Sequence, residues 1–364
     1  MNYTLIVFGV MVLISFLVAF IANLISPDNS LGAGIIAAGI ELIVGSFPAI
    51  MDDFMRLLSF RITGIQASDD VNIWSLVAGF VLLLVGILIL LFVRDRFYVL
   101  NMFGLYSQRE IGDKQNVKQL KLIDYKIRER FIDFVNVFNM GIDEKTNSII
   151  VNKIEEECTK FKDRSVEFKK GFTGTAPIPY TILAGTYLVD CEPKNFFEWK
   201  REEEKFIQLS AKKKADFPEL MIKEMDNPNV DAESVIVVIS TTRRIEKHQL
   251  KDFGEQDIIE IYLEDCKDNN ITYVKQLQNY RKVILDELEV LGREKYPHLN
   301  QINLVASIPS CMSLEIGRMI AQNNNRMKKI VAYHFVNQGT KLYPFGITVT
   351  ESQGQYKKGE LIEN

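Results

Sequence analysis

The sequence predicts an α/β protein carried on N-terminal transmembrane α-helices. Three observations predict it. Tyr3 to Ile25 and Ile73 to Val93 are apolar runs without a charged residue. Each is as long as the ~20 residues a helix needs to cross a hydrocarbon core of about 30 Å. From Gly171 onward, apolar strand-like runs alternate with amphipathic helices, the pattern of a largely parallel sheet covered by helices. Finally, Ile302 to Arg318 reads as a buried strand, a turn of small polar residues and a helix that opens on that turn.

The chain of 364 residues has room for two to three domains. Composition divides it into a transmembrane region at 1–96, a helical connector at 97–165 and an α/β domain at 166–364. The net charge of −4 argues against a partner that is long DNA or RNA. The four cysteines, Cys158, Cys191, Cys266 and Cys311, are scattered, and His248, His298 and His334 are the only histidines. No zinc-type spacing is present, so no metal site is expected.

In the membrane part, Met1-Asn2-Tyr3-Thr4 lacks the basic start of a cleaved signal peptide, so the first run reads as an uncleaved anchor. Arg94 and Arg96 close the second run. The loop between the runs carries Asp28, Asp52, Asp53, Asp69 and Asp70 against Arg56 and Arg61. By the positive-inside rule the second span exits into the cytoplasm, which puts the C-terminal domain there. Within that loop, 31–58 is rich in small residues (Gly32, Gly34, Ala37, Ala38, Gly39) and reads as a re-entrant or interfacial helix. Glu41 is either an intramembrane carboxylate with a function or a carboxylate in water at the interface. A third span is the alternative to two.

In the connector, apolar positions from Leu120 to Ile132 recur at three- to four-residue spacing, which predicts a helix. Lys114, Lys118, Lys121, Lys126, Arg128 and Arg130 add positive charge near the inner leaflet, with Asp124 and Glu129 interleaved. Two readings stand: contact with anionic lipid, or a solvated coupling helix.

In the α/β domain, strands are expected at 233–240, 257–263, 302–306, 330–336 and 342–349, and helices at 272–291 and 310–321. The run 180–189 fits either a strand or a short buried helix. About 190 residues suit two half-domains side by side. Ligands of open α/β sheets sit at the carboxyl ends of strands. Two candidate anion sites follow from that rule, Ser240-Thr241-Thr242-Arg243 after one strand and Pro309-Ser310-Cys311-Met312-Ser313 after another; a third is Thr173-Gly174-Thr175, where Gly and Thr in a loop before an apolar run can wrap an anion. Hydroxyls and backbone amides suit phosphate oxygens, and Arg243 or Arg244 adds charge. Ser and Thr also cap helices and turns without any ligand. Tyr180, Phe196, Phe197 and Trp199 are either core or surfaces for base stacking.

These residues resemble the SAVED family, sensor domains of the bacterial anti-phage systems known as CBASS. The resemblance rests on Phe172-Thr173-Gly174-Thr175-Ala176-Pro177-Ile178-Pro179 followed by Gly185, on the strand ending in Ser240-Thr241-Thr242, and on Leu304 to Ser310 with Leu314-Glu315-Ile316-Gly317-Arg318. It covers roughly 165–350, and two spans ahead of it resemble the membrane-anchored subgroup. The resemblance implies two fused Rossmann-like halves related to CARF sensors. It implies a cyclic di- or trinucleotide ligand, made by a partner nucleotidyltransferase of the CD-NTase type, and ligand-driven homo-oligomers that disrupt the inner membrane and abort infection. Carried onto this chain, the ligand contacts are Thr173, Gly174, Thr175, Ser240, Thr241, Thr242, Arg243, Pro309, Ser310, Met312 and Ser313. Gly317 permits close helix–sheet packing and Arg318 pairs with a carboxylate.

No catalytic residue and no cofactor are expected. A membrane-tethered nucleotide hydrolase, with Ser240 or Ser310 as nucleophile, is the competing class, although neither Gly-x-Ser-x-Gly nor a P-loop is present. A ligand-independent membrane scaffold is the third.

Overall fold

The computed structural model describes residues 30–45, 73–92, 95–107, 110–123, 125–212, 216–337 and 339–364, in two compact units. The first unit contains two apolar helices, α1 (Ser30–Gly45) and α2 (Ile73–Phe92), packed together. Glycines face each other at the contact. A Cβ on Gly39 would lie 2.8 Å from the Gly79 carbonyl oxygen and from the Leu83 nitrogen, so only glycine permits this approach. Glu41 is exposed on α1. When only described side chains are counted, no helix among the described residues is long and apolar enough to cross a membrane. Within α2 those side chains are Trp74 and residues 77–88, although its helical backbone runs for 20 uncharged residues. The span expected at 3–25 lies outside the described residues, as does 46–58 of the expected interfacial helix.

The second unit holds two sheets. The first contains β1 (Asp95–Phe103), β2 (Tyr125–Asp133), β3 (Lys169–Thr175), β4 (Asn195–Lys200) and β5 (Lys205–Gln208), in the order β2-β1-β3-β4-β5. Strands β1, β3 and β4 run parallel, while β5 returns antiparallel to β4. Between the strands lie α3 (Lys114–Gln119), α4 (Val135–Asn139), α5 (Glu144–Arg164) and α6 (Ile178–Thr186).

This sheet corrects two expectations. The segment read as a connector helix from Leu120 to Ile132 contributes β2. Its Leu120, Ile123, Ile127 and Phe131 suit a helical period, but Tyr125, Ile127 and Glu129 also alternate with the charged Lys126, Arg128 and Arg130. Pairing beside β1 selects the period of two. Likewise Gly171 to Thr175 is strand, not loop, because it is held in register along β1 from Val99 to Phe103. Helix α5 does follow its sequence pattern. Asp143 and Thr146 form a reciprocal cap, with Thr146 N–H donating to Asp143 Oδ1 at 2.7 Å and Asp143 N–H donating to Thr146 Oγ1 at 2.8 Å. Ile150, Ile154, Cys158 and Phe161 then make its buried stripe.

The second sheet contains β6 (Met221–Lys223), β7 (Ser234–Ser240), β8 (Asp257–Tyr262), β9 (Gln301–Ser307), β10 (Lys329–His334), β11 (Phe345–Thr348) and β12 (Leu361–Glu363). Its order is β12-β11-β10-β9-β7-β8-β6. The central strands β10, β9, β7 and β8 are parallel; β7, β9 and β10 are buried along most of their length, as their largely apolar sequences require, while β8 is half-buried. The edges are antiparallel. Helices α7 (Val274–Val290) and α8 (Ser310–Gln322) complete this half.

The halves are joined through α6 and α8. Each helix follows a strand of its own half and also packs on the other: α6 against β10 and β11, α8 against β3 and β4. Two glycines set their separation. A Cβ on Gly317 would lie 1.9 Å from the Ile182 carbonyl oxygen, and one on Gly185 would lie 2.1 Å from that of Leu314. With a sheet on each side, α8 is buried around most of its circumference.

Candidate functional site

The order of the second sheet reverses beside β7. The chain passes from β7 to β8 on one side, then crosses back to β9 on the other. A crevice at the carboxyl ends of such strands is where open α/β sheets bind ligands. Here the two strand ends are tied together. The N–H groups of Thr241 and Thr242 donate to the Ser307 carbonyl at 2.9 and 3.0 Å, and the Thr242 and Ser307 hydroxyls share a hydrogen bond of 2.8 Å.

A cavity of about 450 Å³ opens above them, lined among others by Thr242, Arg243, Ser307, Phe335, Asn337 and Tyr343. Ile178, the first residue of α6, enters it from the other half. The two arginines differ. Arg244 forms an ion pair with Glu260 and lies 3.3 Å from the centroid of the Tyr262 ring. Arg243 is exposed and, among the described residues, has no ion-pair partner. It is therefore the available cation at this mouth. The nearby Tyr343 hydroxyl is pushed up by burial and by the charge of Asp252, so it is a neutral donor at physiological pH.

The other expected residues sit differently. Ser240 is buried, and its hydroxyl accepts the Ile245 N–H at 3.2 Å. Thr241 is buried as well, and its Oγ1 has no hydrogen-bond partner among the described residues. Thr173 is buried within β3, and Thr175 donates to the Tyr106 carbonyl at 2.5 Å. A Cβ on Gly174 would lie 3.0 Å from the Met102 carbonyl oxygen. None of Thr173, Gly174 and Thr175 lines the cavity.

The turn Pro309 to Ser313 is filled from within. Glu198 on β4 accepts the Cys311 N–H at 2.8 Å and the Ser310 hydroxyl at 3.3 Å. An internal carboxylate thus occupies the helix start that the sequence marks as an anion site. Burial raises the Glu198 carboxyl above the usual range, against the Cys311 and Ser310 hydrogen bonds that lower it. Pro309 is the N-cap residue of α8, Met312 and Ser313 are fully buried, and Ser313 donates to the Pro309 carbonyl at 3.1 Å. Further along, Arg318 donates to Glu315 at 2.7 Å and to the Leu188 carbonyl at 3.1 Å, and Glu315 also pairs with Arg281.

Sequence reasoning missed Ser307, Phe335, Asn337 and Tyr343. Ser307 carried a usable signal, as the first polar residue after an apolar strand. The others come from segments beyond β10 that only the fold brings over β7 and β9.

Residues 154–349, more than half of the chain, match the model of the SMODS-associated and fused to various effectors sensor domain. The chain belongs to the SAVED family. The matched SAVED region begins inside α5 and runs to the end of β11, so it takes in the crevice and both linking helices. An α/β SAVED sensor domain with mixed sheets is thus what this chain contains. No curated protein matches it in sequence.

Among solved structures, this SAVED protein is similar to the Acinetobacter baumannii Cap4 SAVED/CARF-domain containing receptor. The identity is 12%, over 74% of this chain and 55% of that chain, with a TM-score of 0.44. The same receptor with the cyclic trinucleotide 3'3'3'-cAAA matches at 12% identity over 83% of this chain and 60% of that one, with a TM-score of 0.46. The chain therefore spans 55% to 60% of the length of these structures.

Proposed function

We propose that this protein is a cyclic-oligonucleotide sensor coupled to the cell membrane, a binding effector of anti-phage defence and not an enzyme. The observation that carries the reading is the crevice at the carboxyl ends of β7 and β9. There the Thr242 and Ser307 hydroxyls and the unpaired Arg243 meet in a cavity of about 450 Å³. A guanidinium and two hydroxyls suit the phosphates of a nucleotide. Phe335, 39% exposed at the rim, offers a face on which a base can stack. A SAVED domain is a sensor, and a cyclic oligonucleotide made by a partner nucleotidyltransferase is the ligand that its resemblance implies.

The output is the apolar helix pair. In this reading α2, with 20 uncharged residues, crosses the inner membrane, and its exposed side chains face lipid, among them Trp74 at 84% exposure and Leu84 at 59%. Ligand binding favours an assembled state by its differential affinity. Assembly gathers many helix pairs, and the bilayer fails around them.

The test uses the full-length protein in detergent and in liposomes, with a panel of cyclic di- and trinucleotides. Expected are saturable binding of one member, growth in particle size and dye leakage. Binding without leakage would refute the membrane output. Turnover of the ligand would make the protein an enzyme, and absence of binding across the panel would refute the sensor reading.

A further inference from the structure

A second concave site lies away from the crevice, between the first sheet and α5. It has a volume of about 270 Å³ and is lined, among others, by Arg96, Tyr98, Arg128, Glu129, Arg130, Lys160 and Arg164. Arg96 and Tyr98 alternate on β1, Arg128 and Arg130 alternate on β2, and Lys160 and Arg164 are one turn apart on α5. Three elements thus aim five cations at one hollow. Folding alone does not call for that arrangement, because like charges repel.

The nearby acids do not cancel it. Glu157 pairs with Arg130 and with Lys160, and Glu156 pairs with Lys160. Glu129 is engaged elsewhere: its carboxylate accepts the Ile111 and Gly112 N–H groups at 3.1 and 2.6 Å and the Asn101 amide at 3.1 Å. Among the described residues, Arg96, Arg128 and Arg164 have no ion-pair partner. Arg96 is held in place by Phe168, with its guanidinium 5.5 Å from the ring centroid, and Phe168 in turn stacks on Tyr98.

We propose that this pocket binds the phosphate of an anionic phospholipid headgroup. Guanidinium groups take phosphate oxygens two at a time, and three unpaired ones around a small hollow are preorganised for such an anion. The lipid source follows from the chain itself. Arg96 comes four positions after Phe92, the last residue of α2, so a short tether joins the pocket to the apolar helix. This assignment of the ligand rests on α2 being the membrane span proposed above. At the cytoplasmic leaflet, phosphate headgroups are the abundant anions.

The test is native mass spectrometry of the full-length protein in a non-ionic detergent, titrated with dihexanoyl phosphatidylglycerol, dihexanoyl phosphatidylcholine or inorganic phosphate. Phosphatidylglycerol is expected to bind about tenfold or more tighter than either alternative. Arg96→Gln with Arg128→Gln and Arg164→Gln should abolish that preference, and Arg164→Gln alone should reduce it with unchanged thermal unfolding. Equal binding of the two lipids, or a preference that survives in both variants, overturns the proposal. Inorganic phosphate binding as tightly as phosphatidylglycerol overturns the lipid as the source. Flotation of the wild type with liposomes after alkaline extraction reads the anchor separately. Loss of flotation with the lipid preference intact refutes the span, whereas flotation without the preference refutes the pocket.

Discussion

The Glu198 carboxylate accepts the main-chain N–H of Cys311 at 2.8 Å, across 113 positions of sequence. It bridges β4 of one half to the start of α8 in the other. The helix start is therefore satisfied by the protein's own anion, and the free anion-binding chemistry of this half lies one strand end away, at Thr242 and Arg243.

That contact has a pH signature. The folded carboxyl of Glu198 is raised by burial, so above the unfolded value near 4.5 the native state holds its proton more tightly than the unfolded chain does. This contribution to stability is present at low pH and is lost as pH rises through the raised value. Glu198→Gln keeps an oxygen acceptor for Cys311 and removes the titration. Thermal unfolding between pH 4.5 and 8 should be flatter for the variant and higher at pH 8. Parallel curves for wild type and variant would contradict it.

Arg243 and Arg244 should separate affinity from stability. Arg243→Ala removes an exposed, unpaired cation from the cavity mouth. It should weaken cyclic-nucleotide binding about 10- to 100-fold in calorimetry, with stability unchanged within about 0.5 kcal/mol. Arg244→Ala breaks the pair with Glu260 and the stack on Tyr262. It should cost about 1 kcal/mol of stability in denaturant unfolding.

Gly317→Ala tests the helix crossing that joins the halves. The new methyl group would sit 1.9 Å from the Ile182 carbonyl oxygen, inside a contact made by backbone on both sides. Neither helix can yield without shifting against a sheet, so a loss of about 3 kcal/mol or more is expected in denaturant unfolding. A variant as stable as wild type would show that the halves adjust freely.

His334 gives the opposite pH slope to Glu198. Burial, with the rings of Phe138 and Phe345 packed around it at 5.4 and 5.3 Å, pushes its pKa down to about 4. A lowered folded value means that the unfolded chain binds the proton more tightly. The contribution is therefore full above about pH 6.5 and is lost as pH falls towards 4, by up to about 3 kcal/mol. His334→Phe keeps the ring contacts, and acid unfolding followed by circular dichroism should lose this component. An unchanged acid limb would contradict it.

Much of this architecture is legible in the sequence, for identifiable reasons. Val235 to Ile239 is a continuous apolar run and Ile302 to Ala306 is one broken only by Asn303; both stay buried on both faces, so their strands and their parallel pairing follow from composition. The start of α8 after Pro309 and the crevice-lining Thr242 and Arg243 follow from what ends such strands. The spacing from Leu120 to Ile132 predicts a helix, yet Tyr125 to Asp133 is strand: its residues also fit a period of two, and only the neighbouring β1 selects it. The run 180–189 fits either a strand or a short buried helix. Most of it is helix α6, which starts after the N-cap Pro177 and holds Pro179 in its first turn, where a missing N–H costs little.

The sequence by itself determined which strands are central, where their polar ends fall, and that the chain carries a SAVED sensor domain. Only the tertiary structure decided which polar ends remain open to a ligand. Glu198 closes the turn at Ser310, burial closes Thr173 and Ser313, and Phe335 and Tyr343 come over β7 and β9 from residues beyond β10. The reason is range. Helix and strand patterns are written in neighbours three or four residues apart, whereas the groups that fill or open a site arrive from tens to more than a hundred residues away. No local pattern records that meeting.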